Sequence, residues 1–305
     1  MTEVCAERCP ICGAVSQTWR VSLSLTIVHC RGCGHRMASH VAGAPVDDDY
    51  HAQHLHDDSQ FVEKLRSTRV RQAGRLVQLL HQAVPGATRL LDFGCGRGWF
   101  LDVACQEGFI EVAGADVSRI ALEGLHARGI EALSIDPTHP EKLGPERLTF
   151  RPQVLTLLDV LEHFSPERGL HLLLSLTNTL APDLELVVVK VPISSGLLYQ
   201  LSTVLAKAGV PGPLEQLYQV GSSPPHLCYF SQASLRRVME SAGLEIIGWA
   251  RDRDFEPGGL VGRARVFASM PVALARAVGV AVAAAVRILR MEDSIIAIAA
   301  PRSRQ

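Results

Sequence analysis

The chain has almost no net charge: thirty basic and thirty-one acidic residues leave a formal charge of −1 over 305 residues. A protein built to coat nucleic acid carries a clear basic excess, so a DNA-binding role is excluded and the balance weighs against RNA. Met1–Pro10 lacks an apolar core behind a basic flank. No secretory signal is read there, and the cytoplasm is the expected location. Eight cysteines are too few for a disulfide scaffold in a chain of this length. No internal repeat is evident, and no apolar run is long enough to span a bilayer. The most apolar stretch, Pro271–Leu289, is interrupted by Arg276 and Arg287, leaving only Ala277–Val286 clean. Leu274, Val278, Val282, Val286 and Leu289 fall near one helical face, as in a helix packed on the protein. The alternative is a peripheral contact of 271–289 with the inner face of the membrane, where Arg276, Arg287 and Arg290 would meet anionic headgroups.

What is present is an ordinary globular mixture, 47% apolar and 20% charged, in a chain about twice a typical domain. Three regions differ in character. Residues 1–42 are short, Cys-rich and contain an alternating stretch from Val21 to Val28. Residues 43–60 are polar and irregular and read as a linker. From Phe61 onward, strand and helix signals alternate: strands at Arg89–Gly94, Glu111–Val117, Glu131–Asp136, Val154–Val160, Leu184–Val191, Leu244–Trp249 and Ser294–Ala299, with helices between them. Near-continuous Val/Leu/Ile strands alternating with helices predict an α/β fold with a largely parallel sheet covered on both faces. Residues 193–224 and 257–290 interrupt the pattern and are expected to shape an acceptor pocket as insertions.

The N-terminal cysteines pair as Cys9-Pro-Ile-Cys12 and Cys30-Arg-Gly-Cys33, separated by seventeen residues. Two such knuckles suit a tetrahedral Zn²⁺ site, and four cysteine ligands leave no open position, so a structural zinc ribbon is predicted. Cys5, His29 and His35 stand near the knuckles as alternates in the ligand set.

The strongest signal lies at Leu90-Leu91-Asp92-Phe93-Gly94-Cys95-Gly96-Arg97-Gly98, where a buried strand ends in a glycine loop that opens a helix. Such a loop lets a ligand approach the backbone at the carboxyl end of a sheet. A dinucleotide fingerprint needs its third glycine one place later, where Trp99 stands. Asp92 would repel a diphosphate and attract a cation. Asp116, at the end of the next strand, can accept both hydroxyls of a ribose. Asp136 ends the third strand.

Asp92-x-Gly94-x-Gly96-x-Gly98 resembles motif I of the class I S-adenosylmethionine (SAM) methyltransferases. Asp159-Val-Leu-Glu162-His163 is similar to their fourth-strand motif, and Pro225–Ser231 with the helix after it to their late segment. The resemblance covers residues 61–256 and 292–301. It implies a Rossmann-like sheet of about seven strands with an antiparallel last strand. It also implies a SAM site at Asp92, Gly94, Cys95, Gly96, Gly98, Asp116, Val117, Asp136 and Asp159, with Asp136 near the adenine amino group. His163 is the implied base for a hydroxyl or carbon acid, with His226 second. A zinc ribbon ahead of such a domain is similar to zinc-ribbon methyltransferases of glycan and secondary-metabolite pathways. The expected function is therefore O- or C-methylation of a small molecule, such as a glycan or lipid-linked precursor. The competing readings are an RNA methyltransferase that grips RNA through the ribbon, and a non-catalytic zinc/SAM scaffold.

Overall fold

The computed structural model describes residues 8–43, 59–136, 139, 142, 147–252, 280, 284, 286, 288 and 291–302; in the first helix, side chains are described from Arg66 onward. Three N-terminal strands, β1 (Ser16–Arg20), β2 (Leu25–Cys30) and β3 (Arg36–Val41), precede helix α1 (Ser59–Ala83). The larger part follows as β4 (Arg89–Phe93), α2 (Trp99–Gln106), β5 (Glu111–Asp116), α3 (Arg119–His126), β6 (Glu131–Ser134), β7 (Val154–Leu158), α4 (Pro166–Leu180) and β8 (Leu186–Pro192). Helices α5 (Leu197–Lys207) and α6 (Gly212–Leu217), strand β9 (Cys228–Tyr229), helix α7 (Gln232–Ser241) and strands β10 (Leu244–Asp252) and β11 (Ser294–Pro301) complete it.

The expected sheet is present. Seven strands run in the order β10-β11-β8-β7-β4-β5-β6, parallel except that β11 is antiparallel to both its neighbours. The central strands are buried on both sides, which their unbroken apolar sequences require: every residue from Leu186 to Val191 on β8 is buried. Leu91, Phe93, Leu155 and Val189 meet Leu172, Leu176, Leu235 and Met239 of α4 and α7 on one face. Leu90, Val154 and Val188 meet Leu76, Leu80, Leu101 and Leu122 of α1, α2 and α3 on the other. Three helix starts are set by serine caps: Ser118, Ser165 and Ser231 each accept a hydrogen bond from the first turn of α3, α4 and α7.

The four-stranded second sheet, β1-β2-β3-β9, is not a free-standing ribbon. Its fourth strand comes from the larger part of the chain, with Arg36 opposite Tyr229 and Met37 opposite Cys228. Residues 193–224, expected to shape an acceptor pocket, supply α5 and α6, whose Tyr199, Ala206, Leu214 and Tyr218 pack on Leu25 and Ile27 of the N-terminal sheet. A small knuckle module has too little core of its own, and these helices give its apolar face a partner. Arg36 stacks over Tyr199 and donates to Thr203, which fastens the same joint. Among the described residues, no helix is long and apolar enough to cross a membrane. The apolar stretch 271–289 and the insertion 257–290 lie outside the described residues, apart from Val280, Ala284, Val286 and Ile288.

Candidate functional site

The glycine loop leaves β4 at the carboxyl edge of the sheet, between β5 and β7. Gly94, Gly96 and Gly98 all have positive φ, at 78°, 50° and 72°. A side chain at Gly94 would place Cβ 2.4 Å from Val160 Cγ2, and one at Gly98 would place it 2.4 Å from Leu125 Cδ2 and 2.8 Å from Arg128 Nη2. The loop therefore depends on bare backbone at both ends. Gly98→Ala is expected to lower stability by about 2–4 kcal/mol, the sum of a left-handed alanine and an overpacked contact. A urea melt read against wild type measures this.

Asp116, at the end of β5, holds the loop in place. Its carboxylate accepts from the Gly96 amide at 2.8 Å and from the Ser118 amide at 2.9 Å. Each oxygen keeps a further lone pair. Val117 beside it is about half exposed, an uncovered apolar surface at the rim. Asp136, beyond β6, is exposed and faces His139, with Oδ2 3.5 Å from Nδ1.

Asp92 is buried in the middle of the sheet, on the face covered by α1 and α2. Thr156 of β7 donates to it at 2.6 Å. Burial pushes its carboxyl up to about 7, against the Thr156 hydrogen bond, and the nearby Asp116 and Asp159 charges add to the rise. Cys95 packs its sulfur against Gly114, and burial near Asp116 and Asp92 pushes the thiol well above its ordinary range, so it is no nucleophile.

Asp159 directly follows β7 with φ of 60°, in the left-handed region that aspartate tolerates better than most residues. Its carboxylate does not stand open. Arg69 of α1 bonds it at 2.8 Å and the buried Lys190 of β8 lies 3.2 Å away; Lys190 also pairs with Asp252 at 2.9 Å. Asp92, Thr156, Lys190 and Asp252 form a polar row across the α1 side of an otherwise apolar sheet. Thr156 and Lys190 were not anticipated from the sequence, although each is the one polar residue within its apolar run, Val154–Leu158 and Leu186–Val191.

A short 3-10 turn, Leu161–His163, follows and sets Glu162 and the expected His163 beside the other expected histidine, His226. Glu162, His163 and His226 place ligand-type atoms within 4.8 Å of one another. His163 Nδ1 bonds the Pro225 carbonyl at 2.9 Å, and proline's carbonyl is only an acceptor, so Nδ1 carries the hydrogen and Nε2 is the basic nitrogen. Burial lowers the His163 pKa, while the Pro225 carbonyl and Asp159 pull it back up. Burial, with the Asp159 charge, holds the Glu162 carboxyl well above its ordinary range, and its own amide, Lys190 and Arg69 offset part of this.

At the far end of the chain's N-terminal sheet, Cys9, Cys12, Cys30 and Cys33 converge, with all four sulfurs within 4.8 Å. Cys9 and Cys33 sulfurs are 3.7 Å apart and those of Cys12 and Cys30 3.4 Å. Zn–S bonds of about 2.3 Å set tetrahedral S···S edges of about 3.8 Å, so the set fits that ion. His29 and His35 are not part of the cluster, and Cys5 lies outside the described residues.

No curated protein matches the chain. Among solved structures, it is similar to a SAM-dependent methyltransferase from Archaeoglobus fulgidus, at 18% identity and a TM-score of 0.50, covering 80% of this chain and 100% of that one. It is also similar to magnesium protoporphyrin IX methyltransferase from Synechocystis PCC 6803, solved with bound SAH, at 16% identity and a TM-score of 0.51, covering 83% and 93% of the two chains. At these identities the likeness shows the fold. The family model described as "Methyltransferase domain" matches residues 63–248, more than half of the sequence and all of the site from the glycine loop to His226. The chain therefore belongs to the methyltransferase domain family.

Proposed function

We propose that the chain transfers a methyl group from S-adenosylmethionine to an oxygen or carbon nucleophile of a small molecule, such as a glycan, lipid-linked or secondary-metabolite precursor. The observation that carries this reading is the pairing of a buried carboxyl, Asp92, with a carboxylate, Asp116, on either side of the bare glycine loop. A diphosphate would meet two acids there. A ligand with an ammonium at one end and a ribose at the other would meet a partner at each. Asp92 would ionise against the ammonium, Gly94–Gly98 would face it with backbone amides, and the spare lone pairs of Asp116 would accept the ribose hydroxyls. Val117 would lie against the base.

When bound, SAM supplies an activated methyl, so the protein's work is alignment, a contribution of about 7–11 kcal/mol in well-positioned reactions. Arg69 and Lys190 hold Asp159 and leave the β7 end rigid beside the loop. His163 and His226 form the polar end where an acceptor would lose its proton. The near-zero net charge favours a small acceptor over RNA. Incubating the protein with methyl-labelled SAM and either a small-metabolite extract or total RNA tests this. Label is expected in the small-molecule fraction; label in RNA would overturn the acceptor class, and label in neither would overturn transfer.

The Cys9–Cys12–Cys30–Cys33 set is proposed to hold a structural Zn²⁺. Its loss would spread, because Ser231, the cap of α7, also donates to the Cys33 carbonyl, and Ser194 donates to that of Gly34. A strong chelator is expected to release about one zinc per chain and to lower the melting temperature by roughly ten degrees or more. Retention of the melting temperature after complete zinc release would contradict it.

A further inference from the structure

We propose that Glu162, His163 and His226 bind a second divalent metal ion, of the Zn²⁺ or Mn²⁺ class, at the acceptor end of the site. Two imidazoles and one carboxylate form a donor set for such ions, with positions left for water or substrate. The three groups lie on two segments that the backbone ties together: Leu227 donates its amide to the Glu162 carbonyl at 2.7 Å. His163 is already in the tautomer a metal needs. Its Nδ1–H is spent on the Pro225 carbonyl, which leaves the Nε2 lone pair directed away from that bond.

A second, independent observation points to a missing partner. Glu162 is 1% exposed, and its Oε2 has no hydrogen-bond partner. Gln219, whose side-chain nitrogen sits 3.0 Å from His226 Nε2, likewise has a buried Oε1 with none. Buried acceptors are rarely left unmatched. An ion bonded to Glu162 Oε2, carrying a water within reach of Gln219, would satisfy both. Metal–ligand bonds of about 2.0–2.2 Å require the three side chains to draw in from their present spacing. Side-chain rotation of His226 away from Gln219 provides that movement.

The ion's role rests on the methyl-transfer reading; its binding does not. Coordinated to the ion, an acceptor hydroxyl would lose its proton to solvent. The oxygen lone pair would then form the O–CH3 bond as the S–CH3 bond breaks, its electrons returning to sulfur to leave neutral S-adenosylhomocysteine. On this view the His pair acts through the metal and not as a bare base.

The test uses the full chain with its cysteine site filled with zinc, and Mn²⁺ alone as probe, since Mn²⁺ prefers carboxylate and imidazole to thiolate. Free Mn²⁺ is read by electron paramagnetic resonance during titration. About one saturable Mn²⁺ per chain is expected, and Glu162→Gln and His226→Ala are each expected to weaken it at least about tenfold. SAM-induced thermal stabilisation, recorded on the same variants, reports that the fold and the glycine-loop site survive. No saturable Mn²⁺ binding, or binding that ignores both substitutions, would overturn the proposal. Saturable, substitution-sensitive Mn²⁺ binding in a protein that fails to bind SAM would sustain the metal site and defeat the methyl-transfer reading instead.

Discussion

Replacing Asp116 with alanine is expected to abolish the rise in melting temperature that SAM gives the wild-type protein and to weaken SAM binding about 100-fold or more. Two charge-assisted hydrogen bonds to ribose hydroxyls, at about 1.5–3 kcal/mol each, account for that loss. The substitution also frees the Gly96 and Ser118 amides, which the carboxylate now accepts at 2.8 and 2.9 Å. Leaving two donors unmatched lowers the stability of the ligand-free protein by about 2–4 kcal/mol. Asp116→Asn offers no rescue, because its amide would turn an N–H toward one of those two donors. Circular dichroism at low temperature separates the effects: the fold persists while the SAM response vanishes. An undiminished response in Asp116→Ala would remove the ribose from this carboxylate.

SAM affinity is expected to rise with pH, about tenfold per unit below pH 7, and to level off above it. Asp92 is held near 7 by burial in the ligand-free protein, so below that pH it is protonated. An ammonium beside it favours the ionised form, and binding then releases a proton. The ligand-free protein should show the opposite trend in stability. The folded-state pKa of Asp92 lies above the unfolded value of 3.8, so between about pH 4 and pH 7 the native state holds the extra proton. The stabilisation is present below pH 4 and is lost as pH rises through 7, by at most about 4 kcal/mol. Asp92→Asn keeps the acceptor for Thr156 but has no charge to lose. It should flatten both dependences and weaken SAM at pH 8, while leaving the ligand-free protein more stable there than wild type. Calorimetric titrations at pH 5.5, 6.5 and 8 measure the first trend and urea melts the second. A SAM affinity that is flat from pH 5.5 to pH 8 in wild type would remove Asp92 from the ammonium.

Much of the larger sheet was legible because its strands are chemically monotonous. Runs such as Leu186–Val191 admit only a position buried on both sides, and serines before helical runs, Ser118 and Ser231, stand where the structure starts α3 and α7. The candidate site was legible in position only, where an unusual residue occupies a regular place, as with the glycines after β4, the acid ending β5 and the acid following β7. Long-range pairing was not. Nothing local in Cys228–Tyr229 says that these two residues extend the N-terminal sheet, or that residues 193–224 fold into helices covering it. Both depend on an apolar face that only the folded knuckle module presents. The engagement of Asp159 was hidden for the same reason: Arg69 and Lys190 lie 90 and 31 positions away.

The most direct measurement is a calorimetric titration of the purified chain with SAM and, separately, with NADH at pH 8. The account predicts saturable binding of SAM, about one per chain, and no heat from the dinucleotide, whose diphosphate would face Asp92 and Asp116. Saturable binding of NADH with none of SAM would contradict it.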